Sequence, residues 1–448
     1  MGFLKDFMWG AASAAYQIEG AYDSDGKGAG IWDVGSHRPG HVAFGETGDT
    51  ACDHYHRFKE DVALMKKMGL KYYRFSISWP RVMPEGTGKI NEKGFDFYSD
   101  LIDELIANGI EPLVTLFHWN YPYELQKKGG WLNDESPEWF AQYTKNVVAR
   151  FSDRVKYWIT INEPQVFLGL GYHTGEFPPF CKASLREEFE VVHHVLLAHA
   201  KAVQVIRNDA KIKPVIGMAP TGPCFTPKDD SAEALEEARR ASFDFCEDNA
   251  LFSNSLFADP VFLGDYPERA YEIFPEAADI IKPGDLSLIS QPLDFYGVNI
   301  YQSMALEQEG AYPSNCYVGC PKTCMEWPVI PESLYYGPKF LYERYHKPIL
   351  ITENGMAGHD FVYLDGRVHD PYRIDFINRY LLELKRAAED GVEVIGYMYW
   401  SVMDNFEWLS GYDKRFGLTY IDYRTGERVL KDSAYWYRKV IETNGENL

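Results

Sequence analysis

Ile349-Leu350-Ile351-Thr352-Glu353-Asn354-Gly355 reads as an apolar strand that stops on a glutamate and an Asn-Gly turn. Trp158-Ile159-Thr160-Ile161-Asn162-Glu163-Pro164 repeats the plan, and there the strand stops because proline supplies no N–H for the ladder. Working outward from these two segments, a short β-branched or aromatic run, a polar loop and an amphipathic helix recur along the chain. The pattern predicts strands at Met8–Ala12, Tyr72–Ser76, Pro112–Leu116, Tyr157–Ile161, Val215–Ala219, Phe295–Asn299, Ile349–Thr352 and Ile395–Trp400. Helical patterns between them include His54–Met68, Phe95–Asn108 and Phe189–Asn208. Eight strands separated by helices predict a parallel (β/α)8 TIM barrel with long βα loops rather than an open sheet.

A length of 448 residues would ordinarily suggest two or three domains, but no low-complexity linker or composition shift divides the chain, so it reads as one barrel domain over residues 1–448. Several strands end in polar or aromatic residues: Arg74, His118 with Trp119, Asn162 with Glu163, Asn299 with Tyr301, Glu353, and Trp400. In such a barrel the strand C-termini converge on one face, which makes one pocket of scattered positions.

Composition narrows the function. With 46% apolar and 15% aromatic residues, the chain can bury a large core and still leave rings for a binding cleft, which excludes disorder. A formal charge of -21 excludes the basic footprint that nucleic-acid binding needs and favours neutral or cationic ligands. Lys5 and Asp6 stand where a signal peptide would have its apolar core, and no run approaches the roughly 18 apolar residues of a membrane span, so a cytoplasmic protein without a membrane partner is expected. Seven cysteines in a large chain read as reduced, mostly structural thiols. Cys316, Cys320 and Cys324 form a C-x3-C-x3-C run whose spacing suits a thiol-bearing loop better than a metal. His193, His194 and His199 lie in an apolar helix and His54 and His56 open another, and these read as packing or surface residues.

Cleavage of a glycosidic bond needs a carboxylic acid to protonate the leaving oxygen and a second carboxylate across the anomeric carbon. Glu163 and Glu353, both at strand ends, meet that demand, although 66 acidic residues make a chance pair easy to find. The flanking motifs carry more weight. Asn162-Glu163-Pro164, Thr352-Glu353-Asn354-Gly355, Tyr73-Arg74-Phe75-Ser76, Leu116-Phe117-His118-Trp119, Tyr296-Gly297-Val298-Asn299-Ile300-Tyr301 and Trp400-Ser401-Val402-Met403-Asp404-Asn405-Phe406-Glu407-Trp408 resemble glycoside hydrolase family 1, and the likeness runs from Phe7-Met8-Trp9-Gly10 through the whole chain.

The resemblance implies a β-glucosidase acting with retention, with Glu163 as acid/base and Glu353 as nucleophile. It implies support from Arg74, Asn299 and Tyr301, and sugar-hydroxyl ligands in Gln17, His118, Asn162, Glu407 and Trp408. Trp119 shares the His118 motif at the sugar, Trp400 matches the ring beneath it, Phe416 stands in the same loop region as Glu407, and Trp327 matches an aromatic beside the aglycone. Such chemistry requires no metal or organic cofactor. The partner implied is a small β-glucoside or oligosaccharide; a homo-oligomer stays open. Physical reasoning agrees: Arg74 beside Glu353 would favour its ionised form, and an aromatic, partly dry pocket would keep Glu163 protonated. Two alternatives are a 6-phospho-β-glycosidase and a catalytically silent sugar-binding homologue. Relatives that cleave 6-phosphoglycosides replace the glutamate and tryptophan that this chain keeps as Glu407 and Trp408, and a carboxylate would repel a phosphate. Lys414 could suit a phosphate but also occurs in non-phosphorylated branches. Asn120-Tyr121-Pro122 departs from the common Asp-Leu-Pro, which weakens any transfer of aglycone preference.

Overall fold

The computed structural model describes residues 3–305 and 319–448. Eight parallel strands close a barrel: β1 (Met8–Ala12), β2 (Tyr72–Ser76), β3 (Glu111–Phe117), β4 (Tyr157–Asn162), β5 (Val215–Ala219), β6 (Phe295–Asn299), β7 (Ile349–Asn354) and β8 (Val394–Trp400). Each pairs with its neighbours in chain order, and β1 closes the ring on β8, with Met8 opposite Gly396 and Ala12 opposite Trp400. All eight strands thus lie where the residue pattern put them, and β7 continues through Glu353 to Asn354.

The barrel interior is packed by alternating large and absent side chains. Met8, Leu113, Ile159, Phe295, Leu350 and Met398 fill it. A Cβ on Gly217 would lie 2.3 Å from the Phe295 ring, and one on Gly396 would lie 2.5 Å from the Met8 Cβ, so glycine at these points is what lets the neighbouring strand contribute bulk. A second, larger cluster seals the strands' outer faces against helices including His54–Lys67, Glu92–Ala107, Ser136–Phe151, Leu185–Asp209 and Pro371–Glu389. The start of Leu185–Asp209 is set by sequence chemistry: the Ser184 hydroxyl accepts from the Glu187 N–H, and the Glu187 carboxylate accepts from the Ser184 N–H.

The histidines read as packing residues are so engaged. His193 contacts Tyr266 and Asp285, His194 the Trp131 carbonyl, His199 the Thr160 hydroxyl, and His54 the Asp61 carboxylate. Of the described cysteines, Cys52, Cys181, Cys224, Cys246 and Cys324 are free, whereas Cys320 is held in a disulfide, which departs from the expectation of reduced thiols. Pairing between thiols leaves no mark on periodicity or composition, which is why that expectation missed it; Cys316 lies outside the described residues. Among the described residues no helix is long and apolar enough to cross a membrane, and no group of three or more His, Cys, Asp or Glu residues could hold a metal ion.

What the fold does for function happens at the strands' C-terminal ends. Register shifts interrupt the ladder between Ile159 and Asn162, at Val298–Asn299 and between Tyr397 and Tyr399. Such irregularities re-aim side chains that a regular pleat would send elsewhere.

Candidate active site

Glu353 sits inside the end of β7, almost wholly buried. Arg74, from β2, donates from Nη1 to its Oε1 at 2.5 Å, and the Tyr301 hydroxyl donates to Oε2 at 2.7 Å. Arg74 is itself held by Thr115 Oγ1 (3.1 Å), the Thr352 carbonyl (2.9 Å) and Asn162 Oδ1 (2.5 Å), so its guanidinium cannot swing away. Burial raises the Glu353 carboxyl above its ordinary range, and Arg74 and Tyr301 pull it back by stabilising the charged form. The expected contact with Arg74 is therefore present, but it offsets a desolvation cost rather than setting the sign alone.

Glu163 follows β4 directly and occupies the left-handed region (φ 44°) as the residue before the helix Pro164–Leu168. Trp119 (φ 74°) and Trp408 (φ 50°) share that conformation, so three large non-glycine residues with strained backbone surround one cavity. The Glu163 carboxylate accepts from Asn299 Nδ2 at 2.8 Å and has no cation bonded to it among the described residues. Burial, then the nearby charge of Glu353, push its pKa up to about 8. Two glutamates of one cavity thus have unlike surroundings: a cation and a phenol on Glu353, one neutral amide on Glu163.

Asn299 lies beside Glu353 and bonds its neighbours too: its Nδ2 donates to Glu163 and Asn162, while its Oδ1 accepts from Thr352 Oγ1 at 2.6 Å. Asn299 also lowers the Glu353 pKa, so it stands between the two carboxylates. Asn162 Oδ1 is committed to Arg74 and Asn299, and its Nδ2 therefore donates to His118 Nε2 at 3.2 Å. That fixes the proton of a neutral His118 on Nδ1; burial and Arg74 keep the ring from charging, and this Nδ1 has no partner. A buried donor without an acceptor beside a cavity is a waiting hydrogen bond for a ligand.

The cavity has a volume of about 540 Å³ and opens from Glu163, Glu353 and Asn299. His118, Trp119, Trp400, Glu407, Trp408 and Phe416 are among the residues that line it. Trp400 and His118 stack with centroids 5.8 Å apart and planes 22° from parallel. Glu407 is pushed up to about 8 by burial and by Glu353, and accepts from Gln17 Nε2 at 3.3 Å. Gln17, Arg74 and Asn162 are buried beside the lining residues: Gln17 bonds Asn405, the Phe406 carbonyl and Glu407, and leaves Oε1 unpartnered. Tyr301, Trp327 and Phe416 form an aromatic cluster on one side of the mouth.

Residue patterns did not disclose the outer wall, where Val166, Leu170, Phe177, Phe225 and Phe252 give the cavity an apolar flank. Val166 and Leu170 are four residues apart in the segment that follows Glu163, a spacing that places them on one face and could have revealed them. Thr115 and Thr352 were also missed, because their role is to orient Arg74 and Asn299 rather than to line the cavity. Lys414 is paired with Asp413 at 2.8 Å and does not line the cavity.

A pair of buried carboxylates with unlike partners, at the C-terminal mouth of a (β/α)8 barrel, defines the site type of glycoside hydrolases. The chain matches the model of glycosyl hydrolase family 1 over residues 1–446 and belongs to that family. It is similar to Beta-glucosidase A of Thermotoga maritima, with 44% identity over 99% of this chain and 98% of the relative. The structure of a β-glucosidase from Thermotoga maritima in complex with glucoimidazole matches with a TM-score of 0.90 at 43% identity, covering 99% of both chains. An aryl-phospho-beta-D-glucosidase of Bacillus subtilis is 40% identical over 100% of this chain and 98% of the relative.

Proposed function

We propose that the protein is a retaining β-glucosidase that removes terminal non-reducing β-D-glucosyl residues from cello-oligosaccharides or from aryl and alkyl β-glucosides. The observation that carries this reading is the unequal bonding of the two buried glutamates of one cavity. Glu353, held charged by Arg74 and Tyr301, attacks the anomeric carbon, while Glu163, which keeps its proton up to about pH 8, delivers it to the departing oxygen. Once Glu353 is esterified its negative charge is gone. Burial still favours the proton on Glu163, but the repulsion added by Glu353 goes with that charge, so Glu163 loses its proton more readily and becomes the base that activates water.

His118, Gln17 and Glu407 take the sugar's hydroxyls, with Trp400 beneath the ring. Unpartnered buried atoms on Gln17 and His118 support this assignment. Glu407 accepts from O4 and O6, and the same cluster can accept an axial O4, so galactosides are expected as secondary substrates. The apolar outer wall with Trp327 favours aglycones that bury rings or chains.

The 6-phospho reading has a specific ground, since a phosphoglucosidase is among the relatives. Among the described residues that line the cavity, however, Glu163, Glu353, Glu407 and Asp244 are acidic and none is lysine or arginine. A phosphate dianion would find no cation there to offset its desolvation, and the carboxylate of Glu353 would repel it. A silent homologue would not need both glutamates, and both are present with their supporting residues.

Removing each carboxylate tests the assignment. Glu353→Ala should abolish turnover of an aryl β-glucoside and, with azide added, yield an α-glucosyl azide. Glu163→Ala should still be glycosylated by substrates with good leaving groups. The reverse pattern would mean that Glu163 is the nucleophile and Glu353 the acid, and the proposal would fall.

A further inference from the structure

Outside the carboxylate pair, the described chain buries a second set of charges just beyond the barrel mouth. Lys431 donates from Nζ to Asp360 Oδ2 at 2.5 Å and to Asp404 Oδ1 at 2.6 Å, and all three side chains are wholly buried. Arg373 bonds Asp360 at 2.7 Å and also Asp370, and Arg415 bonds Asp404 Oδ2 at 2.7 Å. Three cations thus balance three carboxylates.

The network joins two loops that matter to the cavity. Asp360 lies on the loop leaving β7, seven residues after Glu353; Asp404 lies on the loop leaving β8, three residues before Glu407. Asp404 Oδ1 also accepts from the Gly417 N–H at 2.9 Å, next to Phe416, and the Gly358 N–H donates to the Arg415 carbonyl at 3.0 Å. One carboxylate therefore ties the strand end bearing Trp400 to the returning segment that carries Phe416, and one lysine ties both to the loop after Glu353.

Stability does not account for such an arrangement. A buried ion pair replaced by well-packed apolar groups is often neutral or stabilising, because removing two charges from water offsets most of their attraction. Hydrogen bonds of fixed direction supply something apolar packing does not, a single spacing between the loops.

We propose that Lys431 and Asp404 are positioning residues for recognition of the sugar's O6: with Asp360 they set the distance between the Glu407–Phe416 loops and the strand end that bears Glu353. The inference rests on the reading that Glu407 binds O4 and O6. It is tested with the charge-balanced double substitution Asp404→Asn with Lys431→Met, and with Arg415→Met, which removes one tie at a side chain 17% exposed.

Steady-state kinetics on 4-nitrophenyl β-D-glucoside and its 6-deoxy analogue give the readout. In each variant the preference for the glucoside should fall about tenfold, mainly through KM of the glucoside, with little change for the 6-deoxy substrate. Equal losses on both substrates, an unmoved preference, or failure of both variants to fold would overturn the proposal, since a purely structural network predicts no change in selectivity. A wild-type enzyme that treats both substrates alike would instead refute the assignment of Glu407, and the proposal with it; a selective wild type whose preference survives both variants refutes the network alone.

Discussion

Tyr301→Phe removes one oxygen and leaves a ring of nearly the same shape in contact with Trp327 and Phe416. The lost atom is the 2.7 Å donor to Glu353 Oε2, while Arg74 remains on Oε1. A hydrogen bond to a charged group contributes about 1.5–3 kcal/mol. At about 1.36 kcal/mol per pH unit, its loss should raise the Glu353 pKa by about 1–2 units. The sign follows from the bond itself: Tyr301 stabilises the charged carboxylate, so without it the proton is held to higher pH.

In the proposed mechanism the attack needs Glu353 charged, so the acid limb of the profile of kcat/KM against pH should move up by that amount, and activity at pH 5 should fall far more than activity at pH 7. The basic limb, assigned to Glu163 near about 8, should stay close to its wild-type place because Asn299 is untouched. Initial rates on an aryl β-glucoside from pH 4 to pH 9, checked against thermal melting at each pH, give both limbs. A uniform loss at all pH values, with the acid limb unmoved, would show that Tyr301 does not govern the charge of Glu353.

Glu407→Gln should lower kcat/KM on aryl β-glucosides at neutral pH by about 2–10-fold, the range for a hydrogen bond between neutral groups, since burial and Glu353 push the Glu407 pKa up to about 8. It should also narrow the gap between glucosides and 6-phosphoglucosides, since one of the acidic groups lining the cavity is gone; an unchanged ratio on both substrates would remove Glu407 from recognition. Gly396→Ala would place a Cβ 2.5 Å from the Met8 Cβ and 2.7 Å from Leu350 Cδ1 inside the barrel, so it should destabilise by about 1–3 kcal/mol, read as a lower melting temperature with little change in KM.

How much of the fold and site is legible in the residues depends on the range over which each feature is encoded. A buried strand announces itself within five to seven residues through its apolar run, and its end through a proline, an Asn-Gly pair or a sudden polar side chain, which is why Glu163 and Glu353 could be singled out with their strands. The burial of the histidines at 193, 194 and 199 was equally readable from their apolar helix, although their partners lie 39 to 92 residues away.

Other features have no local signature. Asn299 bonds Glu163 across 136 residues, and Arg74 reaches Glu353 across 279, so which amide or cation serves which carboxylate is decided only when the strand ends close into a ring. The apolar flank of Val166, Phe177 and Phe252, the disulfide at Cys320, and the lysine buried between two aspartates belong to the same class.

The linear order of residues by itself determined the strands and their closure into a barrel, and singled out two glutamates at strand ends, because each is written in short-range alternation of burial, turn chemistry and motif. Only the tertiary structure decided which groups make the two unequal, and that burial raises both carboxyls before any partner acts. Their difference arises from partners drawn from β2, β4 and β6 and from the shared loss of water, and no stretch of sequence contains those neighbours together.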